Sequence, residues 1–401
     1  MLGCPWWLIG AAVFLVLALI MSWHRKQQRA TQQALEQSKQ DLMRTEDNYN
    51  TIFVAIPCYR DEAECAATLF SLFNEADCPW RVTVGIVHHI EAHNDYTDNI
   101  LNMYEQLCDR KRATSFQKQI RVLMAPATEA KGPLSARAII EAELFKNERY
   151  YMTIDSHMRF VPNWDTRVLA MYDTCLALSD KPILTTFPAD FNRDTQQTVD
   201  DRPTYVTMDG FDQDGFPRPM AMPFVSTPVR PLPAPFWVPC FSFASSRALH
   251  EVPLLDTLPY LFFPEMYFQS ARYWTHGWDF YSPHETLVYH IADRSYRPTF
   301  WEQLKGKERL AARMRSLHHL TEQLNQNDCS RCHRPATEHA MSGANHAFEP
   351  KLQIWFGHAR SLPDYDAFVG LTHVGTPHVA IIPPTRAPTD IEQIAKYGRV
   401  M

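Results

Sequence analysis

An apolar, β-prone run ends abruptly in a carboxylate and an imidazole in the stretch YYMTIDSHMRF, residues 150–160. Asp155 and His157 are two positions apart, so both side chains point to the same side of an extended backbone. An oxygen and a nitrogen ligand placed in this way at a strand end can hold a divalent cation such as Mn²⁺. The alternative is a plain strand-end turn with a solvated aspartate and a hydrogen-bonded histidine, so the rest of the chain has to decide.

The elements around this stretch alternate between strands and helices. Strands are predicted at residues 52–57, 81–87, 119–124 and 150–154, helices at 63–75 and 135–146, and an ordered proline-rich loop at 217–239. This order predicts an α/β fold with a mainly parallel central sheet flanked by helices. Such sheets bind ligands at the carboxyl ends of their strands, where residues 57–62 and 155–157 both fall.

Composition excludes some classes of protein. The chain has 401 residues and a net charge of -6, which allows a sizeable core but provides no basic field for nucleic acid. Nine cysteines at irregular spacing do not form a small disulfide scaffold, although partial pairing and the redox compartment stay open. The segment Cys329 to His333 fits a haem-attachment pattern, and Cys329 and Cys332 with His339 or His346 could instead hold Zn²⁺. A surface loop with two thiols or a local disulfide is favoured over both. His88 and His89 are predicted to lie on the surface.

The chain begins with a membrane-type segment. After a short tail at residues 1–5, residues 6–23 form an apolar run with tryptophan at both ends. Because no basic residue precedes the run and no cleavage site follows it, a retained single-pass anchor is favoured over a signal peptide. Residues 24–50 are predicted to be a polar stem, residues 51–370 the main domain, and residues 371–401 a C-terminal tail.

Several blocks of sequence occur in an order typical of one enzyme family. They are IFVAIPCYRD at 52–61, AKGPLSAR at 130–137, DSHMRF at 155–160, WVPCFSFA at 237–244, an aromatic-rich block at 258–301, and FGHARSL at 356–362. Together they resemble the polypeptide α-N-acetylglucosaminyltransferases, which modify hydroxyproline or Ser/Thr, from about Thr51 to Gly370. The resemblance implies a GT-A-like nucleotide-diphospho-sugar transferase fold, and a catalytic domain at residues 51–370.

The donor site that the resemblance implies lies in the first three blocks. Its residues are Pro57, Tyr59, Arg60, Asp61, Lys131, Gly132, Arg137 and Ser156. Tyr59 can stack on a base, and Arg60 and Asp61 can hydrogen-bond its edge or the ribose. Gly132 opens a helix whose amide end can face the sugar or phosphate, and Arg137 lies one turn into that helix. The alternatives are an Asp61 that caps the amino end of the following helix and an Arg137 that is solvated.

The resemblance also implies a metal site and a catalytic carboxylate. Asp155, His157 and His290 would hold Mn²⁺ or another divalent cation, with Asp155 taking part in catalysis. Glu265 would orient the sugar or the acceptor. The family has Gly-Glu-Glu where this chain has proline, glutamate and methionine at 264–266, so the second carboxylate is lost.

The implied activity is metal-dependent transfer of a sugar, N-acetylglucosamine before others, from a UDP-sugar to a polypeptide hydroxyl, with retention of configuration. Two alternatives stay open: a GT-A enzyme that extends a glycan or a lipid-linked sugar, and a non-catalytic, membrane-tethered sugar-binding relative. An anchor followed by a stem is typical of Golgi enzymes, so a lumen-facing protein is expected. Arg25, Lys26 and Arg29 after the anchor favour the opposite, cytosol-facing orientation.

Overall fold

An eight-stranded β-sheet with helices packed on it forms the centre of the protein in the computed structural model, which describes residues 50–91, 99–300, 302, 306–327 and 356–371. Within these residues the strands are β1 (Ile52–Tyr59), β2 (Val82–Ile90), β3 (Ile120–Pro126), β4 (Tyr150–Ile154), β5 (Met158–Phe160), β6 (Pro182–Thr185), β7 (Phe191–Asn192), β8 (Gln197–Thr198), β9 (Thr204–Phe211), β10 (Pro217–Pro223), β11 (Leu232–Pro233), β12 (Phe241–Ser245), β13 (Asp279–Ser282) and β14 (Val288–His290). The helices are α1 (Glu62–Asn74), α2 (Ile100–Lys111), α3 (Pro133–Ile139), α4 (Trp164–Leu176), α5 (Arg247–Glu251), α6 (Phe263–Thr275), α7 (Lys307–Asn327) and α8 (Leu362–Val369).

The strand order in the main sheet explains where the protein can bind a ligand. The order is β11-β13-β6-β12-β4-β1-β2-β3, in which β3, β2, β1 and β4 are parallel and β12 is antiparallel to both of its neighbours. From β1 the chain builds outward through β2 and β3, then returns to place β4 on the other side of β1. The carboxyl ends of β1 and β4 therefore flank a topological switch point, where open α/β sheets bind ligands.

The predicted α/β fold with a mainly parallel sheet is confirmed. The four predicted strands correspond to β1, β2, β3 and β4. The predicted helix at 135–146 is wrong in its bounds, since α3 begins at Pro133 and continues after Ile139 as a π-helical turn, Ile140–Leu144. The prediction of a loop at 217–239 is also wrong in part, because this stretch contains β10, which pairs with β9, and β11 at the edge of the main sheet.

A close contact explains the glycine in the middle of β2. Phe53 of β1 covers Gly85, and a Cβ atom at position 85 would come within 2.3 Å of the Phe53 Cζ atom. The Phe53 ring stacks on that of Tyr151 in β4, with centroids 5.8 Å apart, and meets Phe145 edge-on. The glycine therefore makes room for an aromatic cluster that joins three strands on one face of the sheet.

Residues 356–371 pack against the carboxyl end of α6. Arg360 donates hydrogen bonds to the carbonyl oxygens of Trp274 and Trp278, at 3.0 and 2.7 Å. The same guanidinium forms an ion pair with Asp279 at 2.6 Å. This segment therefore fixes one end of α6, while the other end of the helix reaches the candidate site.

Buried thiols are a further feature of the described residues. Six cysteines there are free and buried: Cys58, Cys65, Cys78, Cys108, Cys175 and Cys240. The predicted anchor, the stem up to residue 49, the motif at 329–333 and the C-terminal tail beyond residue 371 lie outside the described residues. Within the ranges that the structure describes, no helix combines the length and apolar character needed to cross a membrane.

Candidate active site

A cleft of about 850 Å³, part of it open to solvent, lies at the carboxyl ends of β1, β2 and β4. Six of the predicted site residues line it: Pro57, Tyr59, Gly132, Asp155, Ser156 and His157. Gly132 has a φ of +116°, a conformation that a residue with a side chain rarely adopts, and it allows α3 to begin at Pro133 in the wall of the cleft. A cleft of this size can hold a ligand as large as a nucleotide.

Asp155, His157 and His290 bring three potential metal ligands together. One ligand atom of each residue lies within 4.8 Å of the other two, and His290 Nε2 is 3.3 Å from Asp155 Oδ2. The aspartate directly follows β4, and His290 pairs with Met158 where β14 meets β5. Antiparallel strand pairing therefore brings an imidazole from a distant part of the chain to the predicted pair.

Asp61 orients the imidazole of His157. Its Oδ2 atom is 2.8 Å from His157 Nδ1 and also accepts a hydrogen bond from Ser156 Oγ at 2.7 Å. Because an ionised carboxylate can only accept, Nδ1 carries the proton and Nε2 keeps its lone pair. Nε2 is buried and has no hydrogen-bond partner in the described part of the chain. A histidine that binds a metal through one ring nitrogen usually donates its other ring N–H to a carboxylate, and His157 has this arrangement.

The carboxyl of Asp155 stays ionised, as a metal ligand must. Burial alone would raise the pKa of Asp155, but the nearby His290 ring and the charge of Arg137 hold this pKa well below its usual value. Arg137 Nη2 is 2.9 Å from Asp155 Oδ1, and Arg294 Nη2 is 3.1 Å from His290 Nε2. One carboxylate and two imidazoles fit a divalent metal such as Mn²⁺, which would replace Arg294 as the partner of His290.

Arg137 also connects this cluster to a buried glutamate. The guanidinium is 2% exposed, and its Nη1 atom lies 3.6 Å from Glu265 Oε1 in the first turn of α6. Burial raises the pKa of Glu265 to about 7. The negative charge of Asp155 adds to this rise, and the positive charge of Arg137 opposes it. The carboxyl of Glu265 is therefore partly protonated at neutral pH and can both donate and accept hydrogen bonds.

The sequence matches one protein family over most of this region. The family model described as Glycosyltransferase (GlcNAc) matches residues 51–116 and 101–375, well over half of the chain. The chain belongs to this glycosyltransferase family. All the side chains described above lie within the matched range. No curated protein sequence matches the chain.

Solved structures show a more distant likeness to this glycosyltransferase. GalNAc-T7 with UDP, GalNAc and Mn²⁺ is 14% identical with a TM-score of 0.48, and the match covers 62% of this chain and 45% of that one. S. aureus TarS 1–349 in complex with UDP is 10% identical with a TM-score of 0.39, and the match covers 68% of this chain and 65% of that one. The chain thus spans less than two thirds of the length of either solved protein, and its family membership rests on the match to the family model.

Four predicted donor-site residues are not in the wall of the cleft: Arg60, Asp61, Lys131 and Arg137, of which Arg137 is described above. Arg60, with a φ of +50°, forms an ion pair with Glu91 in which Nε and Oε1 are 2.9 Å apart. Lys131 is exposed, and its carbonyl accepts a hydrogen bond from the Tyr260 amide at 2.7 Å. Asp61 is buried, and its side chain makes no capping hydrogen bond to α1. It bonds instead to the imidazole described above.

The cleft of the glycosyltransferase also contains residues to which the sequence assigned no role. They are His89, Phe262, Arg294, Arg297, Thr299 and Phe300, with apolar and small residues between them. The prediction that His88 and His89 lie on the surface is wrong, since both are buried and His88 Nε2 lies 2.9 Å from Glu62 Oε1. Burial, together with the charge of His88, lowers the pKa of His89 to about 4, so the cleft contains a neutral imidazole. Both histidines directly follow the predicted strand at 81–87, and this position at the carboxyl end of a strand was the signal in the sequence that could have identified them.

Proposed function

We propose that the protein transfers a sugar, N-acetylglucosamine in the first instance, from a UDP-sugar to a hydroxyl of a polypeptide. The observation that carries the proposal is the convergence of Asp155, His157 and His290 at a cleft large enough for a nucleotide-sugar. Family membership supports the class of reaction. The carboxylate and two imidazoles support a divalent cation next to the diphosphate of the donor.

In the proposed reaction, the bond between the sugar C1 atom and the diphosphate oxygen breaks, and its electron pair leaves with UDP. The acceptor hydroxyl oxygen forms the new bond to C1 on the same face, which retains the configuration, and its proton passes to the departing phosphate oxygen. A bound Mn²⁺ would stabilise the negative charge of the departing diphosphate. Arg137, 2.9 Å from Asp155, adds a fixed positive charge at the same place.

The remaining side chains of the cleft would position the donor. Tyr59 and the neutral His89 offer an aromatic surface and a hydrogen-bonding ring to the base, and Phe300 supports Tyr59 edge-on with centroids 6.0 Å apart. Glu265, held by Arg137, would orient the transferred sugar or the acceptor hydroxyl.

The test of this function is UDP release by the full-length protein in detergent, with UDP-GlcNAc, UDP-GalNAc and UDP-glucose, in Mn²⁺ or EDTA. We expect metal-dependent release from one donor. Asp155→Asn should slow this release by about a hundredfold or more, because the departing charge loses its stabilisation. Asp109→Asn, on the exposed side of α2, is the matched control and should have no effect.

Mn²⁺ binding, followed by electron paramagnetic resonance, gives a readout that does not depend on turnover. Binding should weaken in Asp155→Asn and stay unchanged in Asp109→Asn. Full activity of Asp155→Asn with intact Mn²⁺ binding would contradict the metal assignment. A folded protein that releases UDP from no donor would favour the non-catalytic sugar-binding relative.

We also propose that residues 6–23 anchor the protein in a membrane and that the main domain faces the Golgi lumen. The apolar run followed by a polar stem supports this arrangement. Protease treatment of intact microsomes tests the orientation. Protection of the main domain would support it, whereas digestion without detergent would place the domain in the cytosol, as Arg25, Lys26 and Arg29 favour.

A further inference from the structure

A second cleft adjoins the candidate active site. It encloses about 820 Å³ of partly open space between the β9–β10 hairpin, the amino end of α6 and α7, and we call it the hairpin cleft. Phe262 lines both clefts. Pro264 lines the hairpin cleft, and the next residue is Glu265, whose carboxyl faces Arg137. The start of α6 therefore joins the two clefts.

One wall of the hairpin cleft is apolar. Phe211, at the end of β9, is 37% exposed, and Phe263 and Pro264 form the beginning of α6. Aromatic rings and proline that line a groove bind the proline and aliphatic side chains of extended peptides. The apolar wall therefore matches a polypeptide segment in extended conformation.

The charged groups of the hairpin cleft differ in how they are paired. Asp214 forms an ion pair with Arg313 of α7, and Asp212 accepts hydrogen bonds from two backbone amides of the hairpin turn, both at 2.9 Å. The guanidinium of Arg218 is exposed and lies over the Phe263 ring, 5.4 Å from its centroid. No carboxylate of the described ranges lies within ion-pair distance of Arg218. The cleft therefore offers an exposed cation above its apolar wall.

The methionine that replaces the family's second glutamate does not contribute to this surface. Met266 is 4% exposed and packs in the main hydrophobic core. It lines neither cleft. Selection of an acceptor at the hairpin cleft must therefore depend on the residues that do line it.

We propose that the hairpin cleft binds the acceptor polypeptide, with an apolar side chain against Phe263 and Pro264 and an acidic side chain beside Arg218. This inference rests on the proposed function and names the chemistry of the acceptor that the protein recognises. A neutral glycan would leave Arg218 without a counter-charge.

Binding of fluorescent peptides tests the inference without turnover. The probes are two labelled peptides with the same Ser-Pro centre, one flanked by glutamates and the other by lysines, titrated against the full-length protein with UDP and Mn²⁺. We expect about tenfold tighter binding of the glutamate-flanked peptide by the wild type. Arg218→Glu should reverse this preference, Arg218→Lys should preserve it, and Phe263→Ala should weaken the binding of both peptides.

Arg110→Glu, on the exposed side of α2, is the matched control and should keep the wild-type preference. Equal binding of the two peptides by the wild type, or an unchanged preference in Arg218→Glu, would overturn the inference. UDP release without peptide should be the same in Arg110→Glu as in the wild type, because Arg110 lines neither cleft. If the wild type releases no UDP, the proposed function is contradicted. The peptide titration does not depend on turnover, so it still tests whether the hairpin cleft binds an acidic peptide.

Discussion

The carboxylate of Asp61 joins three segments of the chain at the edge of the cleft. It accepts hydrogen bonds from Ser156 and His157 after β4 and from Tyr296 at 3.1 Å, and it lies 3.3 Å from Arg297 Nε. Burial works to raise the pKa of Asp61, but the hydrogen bond from His157 and the charge of Arg297 lower it below its usual value. The group therefore stays ionised and fixes the His157 ring.

Replacement of Asp61 by asparagine should weaken metal binding. The carboxylate accepts hydrogen bonds at both oxygens, whereas the amide replaces one oxygen with an NH₂ group that can only donate. One of the present hydrogen bonds is therefore lost, and the His157 ring loses its fixed orientation. We expect Mn²⁺ affinity to fall about ten- to a hundredfold in Asp61→Asn, measured by titration with electron paramagnetic resonance detection. Asp194→Asn, whose side chain is 87% exposed, should bind as the wild type does. Unchanged Mn²⁺ affinity with weaker UDP binding would show that Asp61 serves the nucleotide, as the sequence predicts.

Individual site residues could be predicted where the chain itself fixes their geometry. Asp155 and His157 lie two positions apart directly after β4, so their proximity follows from the sequence. His290 reaches them only through the pairing of β14 with β5, which no local pattern reveals. His88 and His89 were misplaced because β2 has a strand on each side and is buried on both faces, so neighbouring residues in it can both be buried.

At the scale of the elements, the contact between β1 and β2 leads to a prediction about stability. In Gly85→Ala the new Cβ atom would overlap the Phe53 ring, which is itself held by Tyr151. We expect the free energy of unfolding to fall by about 1–3 kcal/mol, measured by urea denaturation. Gly306→Ala, where nothing lies within 4 Å of the added atom, should change it by about 0.5 kcal/mol or less. Equal stability of the two variants would mean that Phe53 can move aside at little cost.

Helix α2 shows why one element escaped prediction. Its buried residues are Ile100, Tyr104 and Cys108, spaced by four, and the remaining positions of the helix are mostly polar. Asn99 caps it through a hydrogen bond from the Asn102 amide at 2.9 Å. The cap and the spacing are both visible in the sequence, but one narrow buried stripe gives a weak periodic signal. Strands β1 to β4 were predicted because their runs are continuous and apolar.

For the whole molecule, the sequence predicted the class of the sheet but not its full order. Alternating strands and helices indicate parallel strands, and β1 to β4 confirm this. The antiparallel β12, inserted between β4 and β6, depends on contacts between segments far apart in the chain. Such pairings are decided by the packing of the complete core, and a local pattern does not contain them.

The buried carboxyl of Glu141 leads to a prediction about the pH dependence of global stability. Glu141 lies in the π-helical turn, where Oε2 accepts a hydrogen bond from the Leu254 amide at 2.9 Å and Oε1 is buried, although the residue as a whole is partly exposed. Burial raises its pKa from 4.5 to about 8, with the Leu254 amide and Arg272 opposing the shift. Between these values the Glu141 carboxyl holds a proton in the native protein that it has lost in the unfolded chain, so the contribution of Glu141 to stability falls as pH rises, by about 1.4 kcal/mol per pH unit.

Glu141→Gln should remove this contribution. We expect the variant to lose less stability than the wild type between pH 5.5 and 7.5, measured by urea denaturation at both pH values. Glu143→Gln, in the same turn but exposed, should keep the pH dependence of the wild type. An equal pH dependence in Glu141→Gln and the wild type would show that the Glu141 carboxyl is ionised in the native protein.

The free, buried cysteines give the molecule a built-in reporter of its own opening. Cys58 lies in the wall of the donor cleft, whereas Cys175 lies on the buried side of α4. A thiol reagent reaches such a side chain only while the surrounding structure is open, so the rate of labelling at each cysteine measures local stability. The native chain can therefore report separately on the opening of its cleft and of its core, without any introduced cysteine.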